Sequence, residues 1–235
     1  MTDHPASGER RRCPHTGAMA GGAPLSLAEL LESGTGASLL ACFQERRLPA
    51  GALYDQHDRD QILVVRQGRL RVYLATPERE LSLAYLSAGD VFSTHTRAEI
   101  AAQEDTTVLL APRRVIEREL ATYPALQAAV IRVLARTLGQ SITLIEDLAF
   151  HSVRGRIARY LLRCLTRHGQ ICVAGARIRL DLGMDDIAAL LGTARQTASS
   201  ELSAMVREGG LARLGRRQLL VLDPARLRIW AGETP

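Results

Sequence analysis

The sequence predicts an α+β chain in three parts: an N-terminal antiparallel β-roll, one long helix, and a C-terminal winged helix-turn-helix. Three observations predict it. Two short amphipathic segments flank a turn at Gly192, short alternating runs fill residues 48–110, and a long apolar-periodic stretch without proline joins the two regions. The expected bounds are an extension over residues 1–24, the roll over 25–121, the long helix over 122–150 and the winged helix over 151–235.

The helix-turn-helix is the most specific of these. Asp185-Asp186-Ile187-Ala188-Ala189-Leu190-Leu191 forms a short helix with Ile187, Leu190 and Leu191 on one face. Gly192 supplies the tight turn, and Thr193 is the expected N-cap of the second helix. That helix runs to about Glu208, where Gly209-Gly210 stops it with a left-handed cap. Ala198, Leu202, Met205 and Val206 face inward, which leaves Arg195, Gln196, Ser199 and Ser200 outward. Residues so placed at a recognition-helix start enter the major groove, where an arginine contacts guanine bidentately. An ordinary helical hairpin is the competing reading, and the next dozen residues of the chain favour DNA. The run from Leu211 to Leu222 alternates on both sides of Gly215, as a hairpin wing with Arg216 and Arg217 at its tip for phosphates. Ile178 and Leu180 mark another short strand, so the module is expected over Arg154–Leu222.

The roll rests on Ile62-Leu63-Val64-Val65-Arg66, the alternating runs Gly68–Leu74 and Glu80–Leu86, and Thr106–Leu110, with turns at Gly51, Gly68 and Gly89-Asp90. An antiparallel sandwich or roll of this kind leaves room inside for a small ligand. In the long helix, Thr122 is the expected cap and Pro124 fits the first turn. Ile131, Leu134, Leu138, Ile145 and Leu148 keep a heptad spacing, with Ser141 as the polar exception and Arg132, Arg136 and Gln140 on other faces. Such a seam pairs with a copy of itself, which predicts a homodimer; packing only on its own roll is the alternative. Two-fold symmetry would set two recognition helices on palindromic half-sites of a double-stranded operator.

Composition agrees. From His151 onward there are fourteen arginines against seven acidic residues; before it there are sixteen against eighteen. A basic C-terminal half behind a mildly acidic N-terminal half suits a sensor joined to a DNA-binding unit. All the basic residues are arginine, a bias that reflects a GC-rich genome more than selection for binding. No run approaches membrane-spanning length, so a cytoplasmic protein with no membrane partner is expected. Cys13, Cys42, Cys164 and Cys172 lack the paired spacing of a zinc site or disulfide framework. There is no catalytic constellation, and no enzyme is expected.

A roll, a long helix, the joint Glu146–Ala158 and a winged helix with Arg195-Gln196-Thr197 together resemble the Crp/Fnr transcription regulators over residues 40–222. Within that superfamily the strip Gly68–Leu74 and Glu78–His95 is most similar to the haem-containing carbon monoxide sensors of the CooA type. That resemblance implies haem b as cofactor, with His95 as its retained axial ligand; the residue chemistry of a lone histidine would not by itself do so. It implies an opposite ligand from the N-terminus: the amine of Ala20, were the start at Met19, or else Cys13 or His15. It implies a distal gas pocket lined by Val130, Ile131, Leu134, Ala135 and Leu138, with CO, or NO, as the signal and RNA polymerase as a partner. Ser93 departs from the family, which has a redox-switching cysteine there, so a thiolate–histidine exchange is not expected. The cyclic-nucleotide members carry an Arg-Ser pair that is missing around Arg97, so no cAMP binding is expected. Cys13 alone is too few for the iron–sulfur cluster of the oxygen-sensing members. Two alternatives stay open: a regulator of the same type without haem that answers another effector or a redox signal, and a haem-binding enzyme or storage protein.

Overall fold

The computed structural model describes residues 37–55, 60–121 and 124–233. After a one-turn helix α1 (Ala37–Leu40) come seven strands: β1 (Gln44–Leu48), β2 (Gln61–Gln67), β3 (Arg69–Ala75), β4 (Glu80–Ser87), β5 (Val91–Ser93), β6 (Glu99–Ala102) and β7 (Thr106–Pro112). They form two antiparallel sheets, in the orders β1-β7-β2-β5 and β4-β3-β6. Leu63, Val65, Leu70, Val72, Ile100 and Val108 fill the space between the sheets. A second, smaller core lies on the other face of the four-stranded sheet, where Val64, Leu109 and Ala111 meet Leu39 and Ile116. Strand β2 is therefore covered on both sides. That explains why Ile62–Val65 reads as a continuous apolar run rather than an alternating one. Gly68 joins β2 to β3 at φ +88°, and a Cβ there would lie 2.6 Å from the Asp105 carbonyl, so only glycine fits the turn.

Helix α2 (Arg113–Leu120) leads to the long helix α3 (Pro124–Phe150), and α4 (Val153–His168) comes next with Ser152 as N-cap, its hydroxyl accepting from the Gly155 amide at 3.2 Å. Asp147, 2% exposed, lies near the end of α3. It pairs with Arg159 and, at 3.1 Å, with Arg163 of α4, while Glu146 reaches Arg159 at 3.0 Å. A carboxylate buried this far is tolerated because both its oxygens are paired.

The C-terminal unit contains β8 (Gln170–Cys172), β9 (Gly175–Arg179), α5 (Met184–Leu190), α6 (Arg195–Arg207), β10 (Leu211–Gly215), β11 (Gln218–Val221) and α7 (Pro224–Trp230). Its antiparallel sheet has the order β10-β11-β9-β8. Ile157, Leu161, Ile178, Leu202, Met205 and Leu227 belong to one core, separate from those of the roll. The module thus continues past Leu222 to α7, where Asp223 caps the Arg226 amide at 3.0 Å and Leu227 is buried.

The expected cap at Thr193 comes out differently. Helix α6 begins after Ala194, with no side-chain cap; the Thr193 amide instead donates to the Ala188 carbonyl at 3.0 Å, closing the turn after α5. The far end behaves as expected. Gly209 has φ +78°, and the Gly209 and Gly210 amides donate to the carbonyls of Val206 and Met205, a Schellman closure. Thr122 lies outside the described residues.

Candidate nucleic-acid interface and effector cavity

Ala198, Leu202 and Met205 pin one face of α6 to the core, and this turns Arg195, Gln196 and Ser200 to solvent. Ser199, expected outward, is half-buried. The Arg195 guanidinium meets Asp185, in the first turn of α5, at 3.0 Å. At the turn between β10 and β11, Arg216 and Arg217 are exposed, and the Arg217 carbonyl accepts from the Leu180 amide at 2.8 Å. A Cβ built on Gly183 would lie 3.9 Å from the Arg217 guanidinium, which places this wing arginine beside the start of α5. The reading helix and the wing thus present cations on either side of the acidic first turn of α5. Arg177 and Arg179 on β9 extend this basic surface and were not singled out from the sequence. Their signal was the alternation Arg177-Ile178-Arg179-Leu180, in which Ile178 and Leu180 are buried and both arginines exposed. Among the described residues, Arg179, Arg216 and Arg217 form no ion pair with an acidic side chain, which suits them to phosphates.

A cavity of about 250 Å³ lies between the outer face of the four-stranded sheet and helices α2 and α3. Leu39, Phe43, Ile62, Val64, Val91 and Phe92 form its roll side; Val130, Val133 and Leu134 form its α3 side; Ser93, Arg113 and Glu117 are its polar members. Of the five residues expected to line a gas pocket, Val130 and Leu134 line this cavity. Ile131, Ala135 and Leu138 do not line it and are exposed in the single chain. The periodicity explains the division, since Val130, Val133 and Leu134 share one helix face and Ile131 and Ala135 are each one residue, about 100°, round from it. Val133, the most buried of the three, was missed because the heptad seam drew attention to its neighbours.

His95 lies two residues beyond Ser93, just after β5, and is exposed; its amide donates to the Ser93 hydroxyl at 3.4 Å. Its charge bears on Asp60, whose carboxyl is held below the ordinary carboxylate range, first by its hydrogen bond from Arg113 and further by the charges of Arg113 and His95. Arg113 also pairs with Glu117. Asp90 caps the Ser87 amide at 2.9 Å and stands 3.8 Å from Arg136, while Arg97 is exposed. The expected N-terminal ligands Cys13, His15 and Ala20 lie outside the described residues.

The roll touches the DNA-reading unit directly. The Tyr85 hydroxyl donates to the Asp186 carboxylate at 3.2 Å, and Arg69 donates to the Asp181 carbonyl at 3.1 Å. Burial pushes the Tyr85 phenol up to about 12, so it remains a donor at neutral pH. A Cβ on Gly192 would lie 2.6 Å from Leu148 and 3.4 Å from Leu81, so the turn of the helix-turn-helix packs on both α3 and β4.

Residues 155–230 match the Crp-like helix-turn-helix domain. A solved variant of CooA from Carboxydothermus hydrogenoformans is 36% identical, over 89% of this chain and 97% of that chain, with a TM-score of 0.83. The chain belongs to the Crp/Fnr family. It is a DNA-binding transcription regulator, as its relatives are. Among solved members of the family, the reduced CO-sensing protein from R. rubrum is 32% identical over 89% of this chain and 100% of its own, with a TM-score of 0.50. The cyclic AMP receptor protein of Thermus thermophilus is 29% identical over 198 residues, 80% of this chain and 88% of its own length. Family members with this much similarity to the chain are thus named for different effectors. No helix among the described residues is long and apolar enough to cross a membrane.

Proposed function

We propose that this regulator is a haem-dependent homodimer that answers a diatomic gas, CO first and NO as the alternative, by changing its hold on a two-fold DNA operator. The observation that carries the reading is the apolar cavity between roll and α3, whose wall strand β5 leads straight to His95. The residues fit haem b chemically: the aliphatic and aromatic walls would suit the macrocycle, and the His95 imidazole, just beyond the cavity lining, would be a ligand to its iron. When bound, haem supplies an iron centre that takes imidazole and a diatomic gas. A second ligand to the iron would come from the N-terminal segment, as the Ala20 amine, Cys13 or His15. The present cavity is smaller than the roughly 300–1,000 Å³ of typical ligand sites, so an occupant of haem's size must part its walls. Val130, Val133 and Leu134 belong to α3, and their displacement moves the long helix.

The adjoining side of α3, which shares Leu134 with the cavity face, supports the dimer. Ile131, Leu134, Leu138, Ile142 and Ile145 are 56–64% exposed in the single chain and form a stripe that a second copy would cover. Occupancy of the cavity is then felt at the dimer seam, and from there at the winged helices. On DNA, Arg195 and Gln196 read bases, Ser199 and Ser200 support them, and Arg216 and Arg217 hold phosphates; RNA polymerase is the further partner.

A cyclic nucleotide is the second reading, favoured by the relatives named for cyclic AMP. It fits less well. The arginine lining the cavity, Arg113, is already bonded to Asp60 and Glu117, and a phosphate would have to displace both carboxylates. An absorption spectrum of the reduced protein with and without CO separates the two readings. The expected result is a Soret band that shifts with CO and is lost or scrambled in His95→Ala, together with CO-stimulated DNA binding. An unchanged band and CO response in His95→Ala would remove His95 as the ligand. A protein without a Soret band whose DNA binding rises with cyclic AMP would replace the haem reading altogether.

A further inference from the structure

We propose that Asp185 is a positioning residue for base readout, its carboxylate holding the Arg195 guanidinium so that the free edge of the arginine faces the groove. This rests on Arg195 being a base reader. Asp185 is not part of the recognition helix; it sits in the first turn of α5, yet its Oδ2 lies 3.0 Å from Nη1 of Arg195. The contact engages one nitrogen of the five-donor fork. It leaves Nε and Nη2, two parallel donors on one edge, which is the pattern that meets guanine N7 and O6.

Both partners are about two-thirds exposed, at 68% and 69%, so the pair contributes little to folding. Its consequence is orientation. A free arginine samples many rotamers and loses that freedom on binding, whereas one already tethered loses less. The surrounding charges point the same way. Asp185 lies on the same surface as Arg195 and the Arg217 that flanks Gly183, where an unpaired carboxylate would repel phosphates. Paired with Arg195, it is neutralised and directs the cation instead.

The backbone that presents Asp185 is fixed from the sensor side. Its neighbour Asp186 accepts from Tyr85 of β4 at 3.2 Å, so successive acidic residues engage different partners, one the roll and one the reading arginine. A shift of the roll against α5 therefore reaches Arg195 through one peptide unit and one ion pair, and it alters discrimination between sequences as well as affinity.

The test uses the full chain, as purified and again reduced under CO. A randomised duplex pool first yields the preferred duplex, and Arg195→Ala identifies the base pair whose preference it loses. Binding is then compared between that duplex and one with this pair exchanged. Asp185→Ala and Asp185→Asn are expected to bind random duplex at least as well as wild type, which also reports that they fold. They should lower the preferred-to-exchanged ratio by about five-fold, within the range of one good bidentate contact. Asp185→Glu should restore part of it, and in an Arg195→Ala background Asp185→Ala should leave the ratio unchanged. An unchanged ratio in the single variants, with both duplexes bound more tightly, overturns the proposal: Asp185 would then only repel phosphate. If Arg195→Ala itself leaves the selected duplex unaltered, the readout by Arg195 fails first, and the proposal with it.

Discussion

In the winged helix, Arg195, Gln196 and Ser200 lie along the first turns of one helix, whose other face is fixed by Ala198, Leu202 and Met205. In the sensor, the cavity wall is assembled from the segment around α1, from β2 and β5, and from α2 and α3, with no two of these consecutive in space and chain except α2 and α3. The reading head therefore keeps its shape whatever its surroundings do, while the cavity is a property of how separate elements happen to pack. One half is built to be carried about, the other to be deformed. A regulator needs both, joined by an element that belongs to each; α3 lines the cavity with one face and offers the apolar stripe on the adjoining one, with Leu134 on the edge they share.

The harshest way to break this comparison is at the stripe. Leu138→Glu places a charge where a second copy would bury it without lining the cavity, so sedimentation should show monomers that retain the haem spectrum, with operator affinity down by about a hundred-fold or more, as each half-site loses its partner. A dimer at low micromolar concentration with normal DNA affinity would mean the stripe is not the interface. Next in size is Arg195→Ala, expected to cost about 1–3 kcal/mol per half-site and to relax base preference there, measured by titration on preferred and random duplexes. Equal losses on both would make Arg195 a phosphate contact. Gly192→Ala tests the joint between the halves. With φ +60° and a Cβ 2.6 Å from Leu148, it should lower stability by about 1–2 kcal/mol from the backbone alone, visible as a lower denaturant midpoint. An undiminished midpoint would show that Leu148 and Leu81 yield easily. The smallest effect belongs to the wing: Arg216→Ala or Arg217→Ala should weaken all sequences alike and reduce the slope of log affinity against log salt by about 1 each.

The same contrast governs what the sequence disclosed. The helix-turn-helix was legible because its signals lie within about two dozen residues: Gly192, the period of Ile187 to Met205, and Gly209-Gly210. The cavity was not, because Val133 and Arg113 declare nothing until packing brings α2 and α3 against β2. Strand β1 reads Gln-Glu-Arg-Arg-Leu with only Leu48 buried, and β5 is three residues long; neither holds a period to recognise. Helix α7 was legible and missed, since Asp223-Pro224 is a cap followed by a first-turn proline. The expected gas-pocket set mixed two faces of α3, because similarity in sequence does not say which way a helix is turned.

The corner between α3 and α4 has a mechanical consequence. Asp147, nearly inaccessible to solvent, is gripped by Arg159 and Arg163 of the next helix, and opening that angle would strand an anion away from water. The elbow is locked. Motion arriving along α3 is then not absorbed at the bend; it turns the whole forearm, and a small rotation about the helix axis becomes a wide sweep at the far end. The arrangement trades freedom of the limb for gain, so that in the proposed dimer a slight displacement beside the cavity would bring two reading heads into or out of step with the pitch of a duplex.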